Sequence, residues 1–272
     1  MRTFLRRAAG KAAHNLAQAG IWRDSQDTLV RDASDYWDDP ASKQFTKNSH
    51  WCRDTGITDE TWGELGKPHL LLFQKHLNHR RTEGVLDRII EWGCGGGANA
   101  IHFVSHTRDF VGVDVSSASL VECKLRLEQK GFHNFSPVHI DLVEPEKAVL
   151  HLLGTCDMLL CTYVFELLPS PEYGTRILKL AYELLRPGGF ALIQIKYQTH
   201  ERRTRPRRWM YQRNLANMTT YPIDAFWESA EQIGFIPSSI SLLPKDPLVD
   251  DERYAYFLLD KHSNSSFASR ET

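Results

Sequence analysis

The stretch 88–98 constrains the fold of this chain more than any other part of the sequence. It begins with an apolar run through Ile89 and Ile90, reaches Glu91, and then contains four glycines, Gly93, Gly95, Gly96 and Gly97. We predict a strand that enters a tight turn and opens a helix over 98–106, the context in which a glycine-rich loop binds ligands. Glycine adopts positive φ and lets a ligand approach the backbone closely. Because the following helix also offers free N–H groups, a nucleotide-like ligand is expected at this turn.

The same glycines also fit the degenerate G-x-G-x-x-A form of a dinucleotide-binding loop. Glu91 separates the two interpretations because it lies two residues before Gly93, where nicotinamide-binding loops usually keep an apolar residue. A carboxylate beside the loop would repel a pyrophosphate and attract a cationic amino-acid group. A turn between strand and helix that binds nothing is the remaining alternative.

The pattern from Glu91 through Gly93 and Gly95 to Gly97 resembles motif I of class I S-adenosylmethionine-dependent methyltransferases. The resemblance implies S-adenosylmethionine as the cofactor, with its amino-acid end held by Glu91 and the loop glycines. The sequence Leu-Arg-Pro-Gly-Gly at 185–189 resembles the turn before the fifth strand of the same family. Together these motifs cover about residues 88–197.

Asp114 ends the next predicted strand, 109–115, about twenty residues after Glu91. An acid at this distance meets a ribose in nucleotide-binding sheets, because carboxylate oxygens accept from both hydroxyls of a cis-diol. We therefore predict that Asp114 binds the ribose and that Val115 beside it belongs to the same site. An aspartate that only caps the helix beginning at Ser117 is the alternative.

Two later strands add further candidates to the cofactor site. A short strand is predicted over 136–142, and the family resemblance implies that Asp141 accepts from the adenine amino group while Leu142 packs against the ring. A loop-capping role is the alternative for Asp141. The fourth strand begins at Cys156, and because ligands bind at the carboxyl ends of parallel strands, Thr162 is expected to line the site.

The catalytic side of the site is poorly defined by the sequence. Many small-molecule methyltransferases carry Glu-His-Leu after the fourth strand, whereas this chain has Glu166-Leu167-Leu168, so the histidine of the family is absent. A hydroxyl acceptor also needs a general base. The candidates are His50, Tyr163, Glu166 and His200. Aromatic residues of the segment 24–68, such as Tyr36 and Trp51, either face the substrate or only pack this segment on the sheet.

The alternation of strands and helices after the loop predicts an α/β fold with right-handed crossovers. The resemblance implies a doubly wound, mostly parallel seven-stranded sheet with helices on both faces, an antiparallel C-terminal edge strand and a helical N-terminal cap. We divide the chain into a basic helix and cap segment (1–66), a methyltransferase domain (67–262) with an arginine-rich insertion (198–220), and a polar tail (263–272).

Composition excludes several classes of protein. The chain carries 33 Lys and Arg against 34 Asp and Glu, which argues against a wholly basic nucleic-acid binder. Its five cysteines show no C-x-x-C pair and no zinc spacing, so reduced thiols in a cytoplasmic compartment are expected. No stretch approaches the roughly 18 apolar residues of a membrane span. No metal site is predicted, because the histidine pairs at 76 and 79 and at 102 and 106 lack a third ligand.

We predict an enzyme that methylates a small-molecule acceptor, with a sugar or secondary-metabolite hydroxyl favoured. Six arginines between 202 and 213 allow an anionic acceptor, and an RNA methyltransferase is the alternative, although a solvated loop explains such a charge run equally well. A methyltransferase-like scaffold without activity is a third possibility. The basic, acid-free segment 1–20 could contact a membrane surface peripherally, direct the chain to an organelle, or form a loosely docked helix.

Overall fold

A computed structural model describes residues 23–38, 44–52, 57–82 and 84–263. Seven strands in this part of the chain form one sheet. They are β1 (Leu86–Trp92), β2 (Thr107–Asp114), β3 (Phe135–His139), β4 (Cys156–Cys161), β5 (Leu185–Lys196), β6 (Phe235–Asp246) and β7 (Asp251–Lys261).

Helices precede the sheet and connect its strands. In the described ranges they are α1 (Gln26–Trp37), α2 (Gln44–Asn48), α3 (Asp59–Leu65), α4 (Lys67–Arg80), α5 (Ala100–Phe103), α6 (Ser117–Gln129), α7 (Pro145–Val149), α8 (Pro171–Leu184), α9 (Tyr211–Asn214) and α10 (Ile223–Ile233). Short 3₁₀ turns include Val104–His106 and Phe165–Leu167. Helices α1 to α3 form the N-terminal cap.

The strand order is β3-β2-β1-β4-β5-β7-β6. Strands β1 to β5 are parallel, and β7 pairs antiparallel with both β5 and β6. The predicted doubly wound, mostly parallel seven-stranded sheet is therefore confirmed, and its C-terminal strand is antiparallel as predicted but does not lie at the edge. β7 occupies an inner position, and β6 is the edge strand. Strands β1 to β3 follow one another toward one edge of the sheet, and β4 and β5 lie on the other side of β1. The strand order therefore switches between β1 and β4, and ligands bind at this switch point in folds of this type.

Three boundaries differ from the sequence predictions, each for a local reason. The helix predicted over 98–106 is reduced to α5, which continues as the 3₁₀ turn Val104–His106. β5 begins at Leu185, before the Pro-Gly-Gly turn, because Leu185 already pairs with Cys156 of β4. β3 ends at His139, before Asp141, because the Asp141 side chain accepts from the Val143 N–H and bends the chain.

Both faces of the sheet are buried. Adjacent residues of β1 point to opposite sides, so that Ile90 and Ile89 belong to two separate hydrophobic clusters. In the second cluster Phe73 of α4 is fully buried, with its ring centroid 5.4 Å from that of Phe103 and 6.2 Å from that of Phe190. Two covered faces explain why the central strands read as continuous apolar runs.

The described helices include none with the length and apolarity needed to cross a bilayer. The basic segment 1–20 lies outside the described residues, as does the polar tail apart from Ser263. The division of the chain at residues 66 and 67 stays a prediction, although α3 ends at Leu65 and α4 begins at Lys67.

Replacing Phe73 with alanine is expected to lower the free energy of unfolding by about 3–5 kcal/mol, since it leaves a cavity between α4 and the sheet. Leu71→Ala, on the same helix at a side chain that is 52% exposed, should change it by no more than about 0.5 kcal/mol. Urea denaturation of both variants tests this difference. Equal losses of unfolding free energy in the two variants would show that the buried face of α4 is assigned wrongly.

Candidate functional site

Three glycines give the loop after β1 a backbone conformation that other residues rarely adopt. Gly93, Gly95 and Gly97 have φ angles of 75°, 49° and 87°, in the left-handed region that favours glycine. A Cβ atom on Gly93 would also lie 2.3 Å from Cγ2 of Val164. The glycines singled out in the sequence therefore occupy the positions where this loop requires them.

Asp114 closes β2 beside the loop and is 8% exposed. Its Oδ2 accepts from the Gly95 N–H and its Oδ1 accepts from the Ser116 N–H, each at 2.8 Å. Burial raises the pKa of Asp114, while these backbone donors oppose the rise. The residue that caps α6 is Ser116, whose Oγ accepts from the Ser119 N–H. Asp114 thus joins loop to strand and keeps acceptor capacity for a ligand.

Glu91 is 1% exposed and lies in β1 directly before the loop. Its Oε1 accepts from Nδ2 of Asn99 at 2.9 Å. Its Oε2 has no hydrogen-bond partner among the described residues. Burial raises the pKa of Glu91 to about 8. A buried acceptor without a partner is costly, and an ammonium group of a ligand would satisfy it.

Asn99 is a residue of this site that the sequence analysis missed. Its Nδ2 donates to Oγ1 of Thr162 at 2.8 Å as well as to Glu91, and its Oδ1 lies 2.7 Å from Nδ1 of His69. An asparagine at the start of a helix ordinarily indicates only a cap. Its partners here lie on β1, α4 and the turn after β4, which no local pattern could indicate.

A cavity enclosing about 840 Å³, its mouth included, lies over the loop and the carboxyl ends of β1, β2 and β4. Three predicted residues, Glu91, Gly97 and Asp141, do not line it directly. The predicted residues that do line it are Gly93, Gly95, Asp114, Val115, Leu142 and Thr162. The fold therefore brings most of the predicted cofactor residues to one concave surface.

Asp141 is exposed and lies between two lining residues, Ile140 and Leu142. In the structure its Oδ1 accepts from the Val143 N–H at 2.7 Å, the turn-forming contact that was the alternative for this residue. One bond does not use up a carboxylate, and its role toward the adenine amino group stays a prediction.

Two aromatic residues from distant parts of the chain form a wall of the cavity that the sequence did not predict. Nε1 of Trp37 donates to the Tyr211 hydroxyl at 2.7 Å, and that hydroxyl donates to the Leu167 carbonyl at 2.6 Å. Trp37 lies in the cap and Tyr211 in the arginine-rich insertion, 174 residues later. The insertion therefore contributes to the site through an aromatic side chain.

The cap rests directly on the glycine loop. The Gly96 N–H donates to the Ser49 carbonyl at 2.7 Å, and a Cβ on Gly95 would lie 2.3 Å from that same oxygen. Nε1 of Trp51 donates to Oγ of Ser119 at 3.0 Å and fixes the cap to α6. Because these loop positions have no side chains, the cap can pack directly on the loop and a ligand can approach the loop backbone.

A second cavity, of about 940 Å³ with its mouth, adjoins the first. His50 and Tyr163 line both cavities, and Glu166 lines the second. His200 is exposed and lines neither. Of the aromatic cap residues considered from the sequence, Tyr36 and Trp51 line neither cavity. The fold therefore gathers three of the four candidate catalytic residues and leaves His200 outside.

His50 and Tyr163 meet at the junction of the two cavities, with ring centroids 4.9 Å apart. Both have positive φ angles, 51° and 57°, a strained conformation that is typical of functional sites. Burial, with a smaller contribution from His69, lowers the pKa of His50 to about 4. The Tyr163 hydroxyl donates to Oδ2 of Asp246 at 2.8 Å, and burial raises the pKa of Tyr163 far above its usual value. At neutral pH the imidazole is therefore uncharged and the phenol is protonated.

The comparisons with known proteins agree with this geometry. Residues 90–191 match a family described as a methyltransferase domain. A ubiquinone biosynthesis O-methyltransferase of Acinetobacter baumannii (strain AYE) is 27% identical over 104 residues, 38% of this chain and 40% of that protein. This chain thus covers less than half the length of that relative.

Solved structures share the fold at low sequence identity. A SAM-dependent methyltransferase from Methanosarcina mazei has a TM-score of 0.53 at 13% identity, over 68% of this chain and 96% of its own. The 1,6-didemethyltoxoflavin-N1-methyltransferase of Burkholderia thailandensis has a TM-score of 0.54 at 16% identity, over 75% of this chain and 80% of its own.

The part of the chain at residues 90–191 is therefore a methyltransferase domain, and the sheet has the fold of the solved methyltransferases. The family resemblance inferred from motif I is therefore confirmed, and the cofactor of this family is S-adenosylmethionine. In this methyltransferase domain, the loop, Asp114 and the first cavity occupy the switch point of the sheet, as the binding rule for such folds requires.

The arginines of the insertion do not line either cavity of the methyltransferase domain. Arg208 pairs with Glu172 at 2.9 Å and Arg203 pairs with Glu201. Among the residues that the structure describes, no cluster of three or more His, Cys, Asp and Glu side chains could hold a metal ion. The anionic acceptor that the arginine cluster allowed therefore has no guanidinium partner in the lining of the two cavities.

Gly95→Ala is expected to displace the cap, because the new Cβ would overlap the Ser49 carbonyl and the residue has a positive φ. Amide hydrogen exchange of residues 46–52, followed by mass spectrometry, should become about tenfold faster or more. Gly131→Ala is the matched control, since Gly131 also has a positive φ, of 77°, but nothing lies within 4 Å of the position that its new methyl group would take. If exchange in 46–52 is unchanged by Gly95→Ala, the cap does not depend on this contact.

Proposed function

We propose that this protein binds S-adenosylmethionine in the first cavity and transfers its methyl group to a hydroxyl of a small molecule held in the second. The observation that carries the proposal is the convergence of the glycine loop, Asp114 and the unpartnered Oε2 of Glu91 at the switch point. A Burkholderia thailandensis enzyme of the same fold was solved with bound S-adenosylhomocysteine, which supports the choice of ligand. A sugar or secondary-metabolite hydroxyl is the acceptor favoured by the sequence.

Each part of the cofactor has a chemically matched partner in the proposal. Glu91 and the loop receive the amino-acid end, because a carboxylate attracts an ammonium group. Asp114 accepts from the ribose hydroxyls, and Leu142 packs against the adenine, whose amino group donates to Asp141. When bound, S-adenosylmethionine supplies an activated methyl group. Alignment of an acceptor beside such a group contributes roughly 7–11 kcal/mol to lowering the barrier.

His50 is the proposed general base. It lies at the junction of the cavities, and its pKa of about 4 keeps the ring unprotonated at neutral pH. So weak a base takes the hydroxyl proton only as methyl transfer makes that proton strongly acidic. Tyr163 is unsuited to this task because its phenol remains protonated and donates to Asp246. We assign Tyr163 to the wall that separates cofactor from acceptor.

Calorimetric titration with S-adenosylmethionine and S-adenosylhomocysteine tests the cofactor site. Asp114→Asn is expected to weaken binding by about tenfold or more, because it removes a charged acceptor for the ribose hydroxyls. Asp109→Asn is the matched control on the same strand, where Asp109 contacts Arg88 at the opposite end of β2, and it should change the affinity by less than about twofold. A folded wild-type protein that binds neither ligand would refute the proposed function, and binding of a nicotinamide dinucleotide instead would favour an oxidoreductase.

Binding of S-adenosylmethionine at pH 7 is expected to release up to about one proton. Glu91, with a pKa of about 8, is mostly protonated at this pH, and a nearby ammonium group lowers that pKa and expels the proton. The binding enthalpy should therefore differ between Tris and phosphate buffers, whose ionisation enthalpies differ. The difference should disappear in Glu91→Gln. Equal enthalpies in the two buffers for the wild type would place the ammonium group away from Glu91.

A further inference from the structure

Carboxylates predominate among the charged residues that line the second cavity. Glu166, Asp250 and Asp251 contribute to its lining, and Lys47 is the one cationic side chain among the described lining residues, since His50 is uncharged at neutral pH. Two of these carboxylates are already paired with lysines outside the lining, Asp251 with Lys196 and Asp250 with Lys245 at 3.0 Å. Glu166 is therefore the lining carboxylate from which a positively charged ligand gains most electrostatic energy.

Glu166 provides the specific contact that a cluster of acids alone would lack. It lies on the 3₁₀ turn Phe165–Leu167 after β4 and is 2% exposed. Its Oε2 has no hydrogen-bond partner among the described residues, although the side chain lines the cavity. Burial raises the pKa of Glu166 to about 7, and the nearby Lys196 opposes the rise. A buried carboxyl oxygen without a partner can accept a hydrogen bond from a donor that the ligand supplies.

Two aromatic rings add to this preference. Tyr163 and Tyr254 both line the second cavity, with ring centroids 5.5 Å apart and an interplanar angle of 81°. The face of a tyrosine ring attracts a cation, and the attraction grows when water is excluded. Ile57, Leu248 and Val249 complete the lining with apolar surface, which suits the hydrocarbon part of the same ligand.

We propose that the second cavity binds its acceptor through an ammonium group, held by Glu166 beside the Tyr163 and Tyr254 rings, so that the acceptor is an amine-bearing hydroxyl compound. This inference rests on the proposed function, because it takes the second cavity as the acceptor site. It places the reacting hydroxyl near His50, at the junction of the cavities, and the ammonium group deeper in the second cavity. The proposed acceptor is positively charged, in contrast to the anionic acceptor that the arginines allowed.

Three probes that share a 4-hydroxybenzyl group and differ in the group attached to it test the proposal: tyramine, 4-ethylphenol and 4-hydroxyphenylacetate, which are cationic, neutral and anionic at pH 7. Each is titrated calorimetrically into the full chain saturated with S-adenosylhomocysteine. Tyramine is expected to bind about tenfold more tightly than 4-ethylphenol, and 4-hydroxyphenylacetate more weakly than either. Glu166→Gln should reduce the advantage of tyramine to less than about threefold while the affinity for 4-ethylphenol is kept.

Asp250→Asn is a second variant that does not disturb the core, because the Asp250 side chain is 87% exposed. It should weaken the binding of tyramine by about two- to threefold, since a solvated charge contributes less to binding than a buried one. The proposal is overturned if 4-hydroxyphenylacetate binds as tightly as tyramine, if Glu166→Gln keeps the full tyramine advantage, or if tyramine fails to bind at about 10 mM. Failure to bind S-adenosylhomocysteine would instead refute the proposed function, so the two failures are distinguishable.

Discussion

The hydrogen bond from the Gly95 N–H to Oδ2 of Asp114 is the interaction on which the site depends. It joins the loop after β1 to the end of the neighbouring strand β2 and so fixes the floor of the first cavity. The same glycine leaves room for the Ser49 carbonyl, which a Cβ would approach to 2.3 Å. The loop, β2 and the cap therefore meet at Gly95, which has no side chain. A larger residue at this position would displace all three.

Two buried carboxyl groups set the electrostatic character of the site. Glu91 and Glu166 each have one oxygen without a hydrogen-bond partner among the described residues, and burial raises the pKa of each. Such groups destabilise the folded protein when they ionise without a partner. Both lie toward the carboxyl ends of the central strands, where the sheet binds ligands. The protein therefore gives up stability at the places where a ligand can restore it.

The sequence was sufficient for the parts of the site that depend on local patterns. The glycine loop and Asp114 lie within one strand–turn–helix unit and the strand after it, and their order along the chain predicts their proximity. Asn99 was missed because its partners, His69 and Thr162, lie 30 and 63 residues away. Boundaries also depend on single contacts, as the bend at Asp141 shows for the end of β3.

The second cavity lay beyond sequence reasoning for a topological reason. Its lining comes from the cap, the turn after β4, the insertion near Leu215 and the turn between β6 and β7. These segments meet only because β7 enters the sheet between β5 and β6. Periodicity and turn residues indicate that a strand exists, but they do not give its place in the sheet. For the same reason the sequence could not show that His200, a candidate base, lies where the chain turns outward after β5.

The inner position of β7 also bears on how the chain is made. β6 pairs with β7 alone, so during synthesis β6 leaves the ribosome with no strand to pair with until β7 has followed it. Strands β1 to β5 can assemble earlier, because each has at least one neighbour within this group. The part of the sheet below the first cavity can thus be organised on the ribosome, whereas the second cavity is complete only after β7, which supplies Asp251 and Tyr254 to its lining. A nascent chain halted before residue 251 would expose β6 as a long unpaired edge, the kind of surface on which chaperones act and aggregates begin.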